Sequence, residues 1–278
     1  NFEDAASWSV PHWRPRAPQY AEPGKPAKGK GSAMESADVP DSTYADGQIA
    51  QEAVARLRAA KARPDQSFFL AVGFMKPHLP FAAPKKYWDL YDRDAFTLPA
   101  VRTAPIGAPA YSKIDWGELR AYNDIPPSGQ LSGSKQISLI HGCHAATSYV
   151  DVQIGRVMDE LDRLDLTQNT IIVLWGDHGW HLGDHGMWCK HTNYEEATRI
   201  PLILCAPGLT RPGTHTKSLV ESVDIYPPLP SSPDCHFKTF HNALMAGALP
   251  RLFAIPALPP RRPSSTPTRA PAPATAKS

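Results

Sequence analysis

The sequence predicts an α/β fold, a mainly parallel sheet flanked by helices, and three observations carry that prediction. First, residues 68–74 (FFLAVGF), 171–175 (IIVLW) and 201–205 (PLILC) are short, apolar at nearly every position, and of strand length. A strand apolar on both faces suits the middle of a sheet covered by helices. Second, residues 46–60 and 134–164 repeat apolar residues at helical spacing. Third, the order strand, helix, strand calls for crossover connections, and these make neighbouring strands parallel.

In chain order, residues 1–45 are rich in Pro, Gly, Lys and Ser around Trp8, Trp13 and Tyr20, and read as irregular, with Gly24 to Gly31 a surface loop. From Asp46, the positions Ile49, Ala53, Val54, Leu57 and Ala60 trace one helical face, and Pro64 follows its end. Residues 99–133 are again Pro- and Gly-rich, a long loop or lid. Ser134 is placed to cap a long helix to about Leu164, with Ile137, Ile140, Val152, Val157, Leu161 and Leu164 on its inward side. Residues 220–229 (VESVDIYPPL) begin as a helix, and there the pattern stops.

Composition divides the chain. A length of 278 residues is enough for one large α/β domain or two small ones, and no run approaches the 18 apolar residues of a membrane-spanning helix. The chain opens on Asn1 without a charged-then-apolar leader, so no signal peptide is expected within it. Thirty prolines make about 11% of the chain, against a usual 5% or so. Residues 230–278 hold ten of them, with six Lys or Arg and the single acid Asp234. Of the net charge of +2, this tail therefore supplies +5 and residues 1–229 supply −3, which argues against a nucleic-acid surface on the folded part. We read residues 1–229 as a partial α/β domain and 230–278 as a Pro/Ala/Arg-rich low-complexity tail without a core, expected to be disordered. Four scattered cysteines, Cys143, Cys189, Cys205 and Cys235, form neither a CxxC pair nor a disulfide framework.

Ligand crevices of open α/β sheets lie beyond the carboxyl ends of the strands. Two polar motifs stand there. Residues 76–81 (KPHLPF) follow the first apolar run; residues 176–180 (GDHGW) follow the second and lead into GDHG at 183–186 and to Lys190-His191. Asp177 is placed to offer carboxylate oxygens to a cation, with His178 beside it as a neutral ligand. Lys190 and His78 suit an oxyanion and a leaving group. Taken singly, each has a plainer reading: an Asp accepting backbone N–H bonds in a turn, a histidine packed between prolines, a surface lysine. Their convergence on strand ends of one sheet favours the chemical one.

The stretches FFLAVGFMKPHLPF (68–81) and NTIIVLWGDHGWHLGDHGMWCKHTNYEEATRIPLILCAPG (169–208) resemble the sulfatase family, and within it the iduronate-2-sulfatase branch. Lys190 stands thirteen residues after Asp177, as the family pattern has it, and the regions of Trp8-Ser9 and 223–227 (VDIYP) are also similar. The resemblance implies an alkaline phosphatase-like α/β fold and hydrolysis of sulfate monoesters, with a sulfated saccharide as substrate and neither nucleic acid nor membrane as partner. It implies one Ca2+, held by two upstream aspartates together with Asp177 and His178; a hard, oxygen-preferring cation suits such a site. It implies a formylglycine nucleophile, made from the Cys or Ser of a C/S-x-P-x-R motif. Lys190 matches the sulfate-binding lysine, and His78 the histidine that contacts the sulfate or protonates the leaving oxygen. A transferring anion needs fixed cations and an alcohol leaving group needs a proton, so the physics agrees. Family membership also implies export of the complete protein to a periplasmic, secreted or lysosomal compartment.

The departures are specific. None of the four cysteines begins the nucleophile motif, and no Asp-Asp pair occurs. One formal serine match, at 265–269 (STPTR), lies in the low-complexity tail and after the metal pair, so we read it as coincidence. The expectation is a sulfatase fragment without its nucleophile segment, inactive alone. The rivals are a phosphodiesterase or phosphonate hydrolase of the same superfold, and a non-catalytic carbohydrate-binding pseudoenzyme.

Overall fold

Two helices organise the packing. The computed structural model describes residues 6, 8–22 and 30–225, and the chain divides into two compact units, Asn1–Pro207 and Gly208–Ser278. The tail at 230–278 and most of the loop expected at Gly24 to Gly31 lie outside the described residues. In the second unit, the expected helix start is a short 3-10 turn, Ser222–Ile225, where the Glu221 N–H donates to Asp224.

Helix α1 (Ala45–Lys61) follows the predicted periodicity, but its most buried positions are small: Gly47, Ala50 and Ala53, with Leu57. Gly47 is required, since a Cβ there would lie 2.1 Å from the Asp41 carbonyl oxygen. Its N–H donates to the Tyr149 hydroxyl at 2.7 Å. That hydroxyl belongs to α4 (Gly133–Arg163), the long predicted helix. The cap of α4 is Ser132 rather than Ser134: the Ser132 Oγ accepts the Lys135 N–H at 3.2 Å, while Ser134 turns to the Arg93 guanidinium. The buried stripe of α4 includes the expected Ile140 and Leu161, with Val157 and Leu164 partly buried against a core cluster. It also runs through Leu139, Gly142, Ala145, Ala146, Tyr149 and Gln153, whereas Val152 is exposed. A reading of large aliphatic residues passes over the small ones, and these let neighbours approach closely.

The sheet is the main local correction. Strand β1 (Met34–Ala37), inside the segment expected to be irregular, pairs in parallel with β2 (Phe81–Pro84), Met34 opposite Phe81. Residues 68–74 join no ladder among the described residues; Phe69 stacks on Trp8 and is still 76% exposed. An apolar run without a pairing strand has nowhere to send its backbone groups, so its composition does not make it a strand. The KPHLPF motif consequently leads into a strand, β2, rather than following one. Strands β3 (Ile172–Trp175) and β6 (Leu202–Cys205) are paired as neighbours, but antiparallel. Between them lie only the hairpin β4 (His181–Leu182) and β5 (Trp188–Cys189) and the one-turn helix α5 (Glu195–Thr198). A parallel pairing needs a long crossover, and this connection holds none. One parallel and two antiparallel ladders thus replace the mainly parallel sheet among the described residues.

One core cluster gathers Leu79, Phe81, Leu119, Leu131, Leu139, Trp188 and Cys189 beneath the loops described below. Burying a side chain such as Phe81 contributes on the order of 1.5–3 kcal/mol. A short helix, α2 (Lys85–Trp88), packs over α4 beside it.

Helices α1 and α4 are also tied by charge. Glu160, almost buried on α4, accepts from Arg58 of α1 at 2.7 Å and from Arg163. Hydrogen bonds from Arg163 and Arg58 carry its pKa from the ordinary 4.5 down to about 2. The folded state therefore binds fewer protons than the unfolded one below pH 4.5, so this contribution is present above that pH and is lost as pH falls towards 2. Glu160→Gln is expected to make the acid-side fall in denaturation midpoint shallower over this window. An unchanged slope in urea unfolding across the same pH series refutes the assignment.

Candidate active site

The loop at residues 75–80 is held from below by a buried carboxylate. Asp46, in the first turn of α1, accepts the N–H groups of Met75 at 2.8 Å and Lys76 at 2.9 Å. Burial pushes the Asp46 pKa up, against the pull of those two bonds and of the Lys76 charge. Lys76 folds back so that its amine donates to the carbonyls of His78 at 3.2 Å and Pro80 at 2.5 Å. Burial drives the Lys76 pKa down to about 8. The bonds before Pro77 and Pro80 are both cis. Between them stands His78, whose Nδ1 lies 2.8 Å from the Leu79 carbonyl oxygen. That nitrogen therefore carries the proton, and in the neutral ring Nε2 keeps its lone pair for a donor. Burial lowers the His78 pKa; the Leu79 carbonyl and Glu118 oppose it, and the Lys190 and His178 charges add to it.

Lys190 supplies the donor. Its Nζ lies 2.6 Å from His78 Nε2, 3.0 Å from Glu118 Oε1 and 2.8 Å from Glu118 Oε2, so all three ammonium protons are engaged. Glu118 Oε1 also lies 2.9 Å from His78 Nε2. Both partners are shielded, with Lys190 14% and Glu118 15% exposed. Burial pushes the Glu118 pKa up, but the Lys190 hydrogen bond and the His78 and Lys190 charges outweigh it and hold the carboxyl below its usual range. Glu118 sits on α3 (Gly117–Arg120), entered through a left-handed Trp116 at φ 33°, with the Arg120 guanidinium 3.6 Å above the Trp116 ring. Lys190 follows Cys189, left-handed at φ 69°. Conformations of this kind cost about 1–3 kcal/mol and persist where the surroundings impose them. Trp180 walls the site: its ring lies 5.4 Å from His78 and 4.9 Å from the Lys190 Nζ, and its buried indole N–H has no partner among the described residues.

Asp177 and His178 stand just beyond β3, where the sequence placed them. The His178 ring lies 6.1 Å from His78, and its Nδ1 is 2.9 Å from the Gly179 carbonyl. Asp177 is 86% exposed; its Oδ1 accepts the His178 N–H at 3.0 Å, and Oδ2 lies 3.4 Å from His178 Nε2. Calcium takes six to eight oxygen ligands. Among the described residues, no group of three or more His, Cys, Asp or Glu is placed to hold a metal. Asp177 and His178 alone do not make a calcium site, and Asp184, in the turn at Asp184–Gly186, does not complete one. Cys143 and Cys189 are free thiols whose pKa is pushed up to about 11 and about 12, in each case chiefly by burial, which makes these two poor nucleophiles.

The structure thus brings His78, Lys190 and His178 together and leaves Asp177 at the exposed rim. The sequence reading missed Glu118 and Trp180. Trp180 lay in plain view inside GDHGW, whereas Glu118 falls in the 99–133 loop, where no periodicity marks it. That loop also contributes Tyr111 and Ser112 to a cleft of about 510 Å³ that opens beside Lys190, with Thr192, Asn193 and Tyr194 on its other wall.

The sulfatase family model matches residues 7–229. The iduronate 2-sulfatase of Mus musculus is 34% identical over 282 residues, covering 86% of this chain and 51% of that protein. That of Homo sapiens is 32% identical with the same coverage, and a sulfatase of Formosa agariphila is 38% identical over 168 residues, 59% of this chain and 32% of its own. The chain spans about half the length of the first two. Among solved structures, the phosphonate monoester hydrolase of Silicibacter pomeroyi superposes with a TM-score of 0.51 at 25% identity, over 62% of this chain and 34% of that one. A protein solved with its substrate D-glucosamine-2-N,6-O-disulfate gives 0.52 at 20% identity, over 63% and 45%. The fold class is the alkaline phosphatase-like α/β one that the resemblance implies, with strand directions that differ from the mainly parallel sheet expected. With both family motifs folded against one another and the family model spanning most of its length, the chain belongs to the sulfatase family.

Proposed function

We propose that this chain is part of a sulfuric ester hydrolase of the iduronate-2-sulfatase kind, acting on sulfated saccharides in an exported protein. The observation that carries the reading is the 2.6 Å approach of Lys190 Nζ to His78 Nε2, which joins the two family motifs at one point. The Lys190 ammonium is the group that binds the sulfate. His78 serves the leaving alcohol: its Nε2 faces the ammonium, and burial lowers its pKa, so that its protonated form gives up the proton more readily than a free imidazolium. Trp180 excludes water from one side, its ring lying against His78 and Lys190. The cleft lined by Tyr111, Ser112, Asn193 and Tyr194 suits the saccharide, offering rings and hydroxyls beside Lys190.

In this reading the nucleophile and the other calcium ligands come from chain beyond these 278 residues, and Asp177 and His178 contribute two ligands to the completed site. A second reading, a phosphonate monoester hydrolase, is favoured by the superposition on the Silicibacter pomeroyi enzyme. No helix among the described residues is long and apolar enough to cross a membrane.

Two outcomes are expected. Calorimetric titration of the chain with calcium should give no saturable binding tighter than roughly millimolar, since two ligands of a usual six to eight are present; micromolar affinity contradicts the ligand assignment. In an enzyme completed with the family's upstream region, Lys190→Ala should slow aryl and sugar sulfates alike, because it acts on the sulfate. His78→Ala should slow sugar sulfates by roughly 10²–10⁴-fold and aryl sulfates far less, because an aryl leaving group needs little protonation. Equal losses on both substrates for His78→Ala remove it as the leaving-group acid.

A further inference from the structure

We propose that Glu118 is a specificity-determining residue: its carboxylate, seated on Lys190 and His78, admits monoanionic esters and turns away dianionic ones. The inference rests on the reading of Lys190 and His78 as an oxyanion site and adds a charge selector to it. The geometry is direct. Glu118 takes two of the three Lys190 protons through Oε1 and Oε2, at 3.0 and 2.8 Å, and its Oε1 is 2.9 Å from the His78 nitrogen. Two oxygens on one carbon present to the ammonium much what two oxygens of a tetrahedral sulfate would. The carboxylate therefore occupies the seat of the substrate anion, and an entering oxyanion must draw at least one Lys190 proton away from it.

The carboxylate cannot move far. It is 15% exposed, its helix is fastened by Arg120 to the Pro126 and Gly129 carbonyls at 2.9 and 3.0 Å, and the next residue, Leu119, is fully buried. The anion and Glu118 thus share a small, shielded space. The basic groups facing Glu118 are Lys190, His78 and Lys30, and the Lys30 amine reaches the Glu118 backbone carbonyl at 3.4 Å. With His78 neutral, Glu118 matches the Lys190 charge it is bonded to, while the Lys30 amine is directed to the Glu118 backbone carbonyl and not to the seat itself. A second negative charge on the ligand then meets a like charge at short range and low dielectric, where repulsion is far stronger than in water. Sulfate monoesters, like phosphonate monoesters, carry one negative charge; phosphate monoesters, with a second pKa near 6, carry close to two above neutral pH. Selection by an added repulsion is a general route to specificity.

The test is calorimetric titration of the full 278-residue chain with methyl sulfate and with methyl phosphate, at about pH 8 and constant ionic strength, where the phosphate is a dianion. The unaltered chain should favour methyl sulfate by roughly tenfold or more. Glu118→Gln keeps the shape and removes the charge. It should tighten both ligands and the phosphate more, shrinking the preference by roughly tenfold. Lys190→Ala should abolish both. Glu118→Ala, a second variant, should shift the ratio in the same direction even if it weakens both ligands. A residue that only props up Lys190 would instead weaken both ligands equally on substitution, and an unchanged ratio overturns the proposal. The preference of the unaltered chain needs no variant, and its absence overturns the proposal as well. Binding of either ligand that survives in Lys190→Ala shows that the oxyanion reading itself has failed.

Discussion

An ammonium group has three protons, and the Lys190 ammonium spends all three on two residues more than seventy positions away. That one coordination joins the loop before β2, the short helix α3 and the turn after β5. Each segment is anchored from the core side by the residue next to its functional one. Leu79 beside His78, Leu119 beside Glu118 and Cys189 beside Lys190 all lie in a single hydrophobic cluster and are at most 6% exposed. The apolar neighbour fixes where the backbone goes, and the polar neighbour is then carried to the surface of the same core. The site is thus the polar face of the cluster, and substitutions in Leu119 or Leu79 reach it without touching a ligand.

A second support lies under the first. Asp46 does for the 75–80 loop what a strand neighbour would otherwise do: its buried carboxylate accepts the backbone N–H groups of Met75 and Lys76. Lys76 then closes the loop on itself through two carbonyls. With His78 Nδ1 donating to Leu79, the ring is left one tautomer and one direction, towards Lys190. The positioning of a single nitrogen is the combined result of a helix N-terminus, a buried lysine and a proline-bracketed turn.

The parts legible in the sequence are those that rest on local rules. Helical periodicity located α1 and α4, and the two motifs that resemble the sulfatase pattern carry His78 and Lys190, whose side chains approach to 2.6 Å. What stayed hidden depends on pairing. Residues 68–74 have strand composition but no strand partner among the described residues, and β3 and β6 are legible as strands but not as antiparallel, because direction is set by the connection rather than by the strand. The Ser132 cap is two residues from the expected Ser134, a distinction only side-chain geometry makes. Glu118 was hidden for a different reason: a carboxylate in a Pro- and Gly-rich loop has no periodicity to betray it, and its importance arises only when α3 is laid against β5.

The central claim is that Lys190 and His78 form an oxyanion seat now filled by Glu118. The most direct measurement is a crystal structure of the chain soaked with methyl sulfate. The account predicts sulfate oxygens within hydrogen-bonding distance of Lys190 Nζ, the methoxy oxygen turned towards His78 Nε2, and at least one of the two Glu118–Lys190 hydrogen bonds broken. Methyl sulfate bound elsewhere, with Glu118 still holding both protons of Lys190, would contradict it.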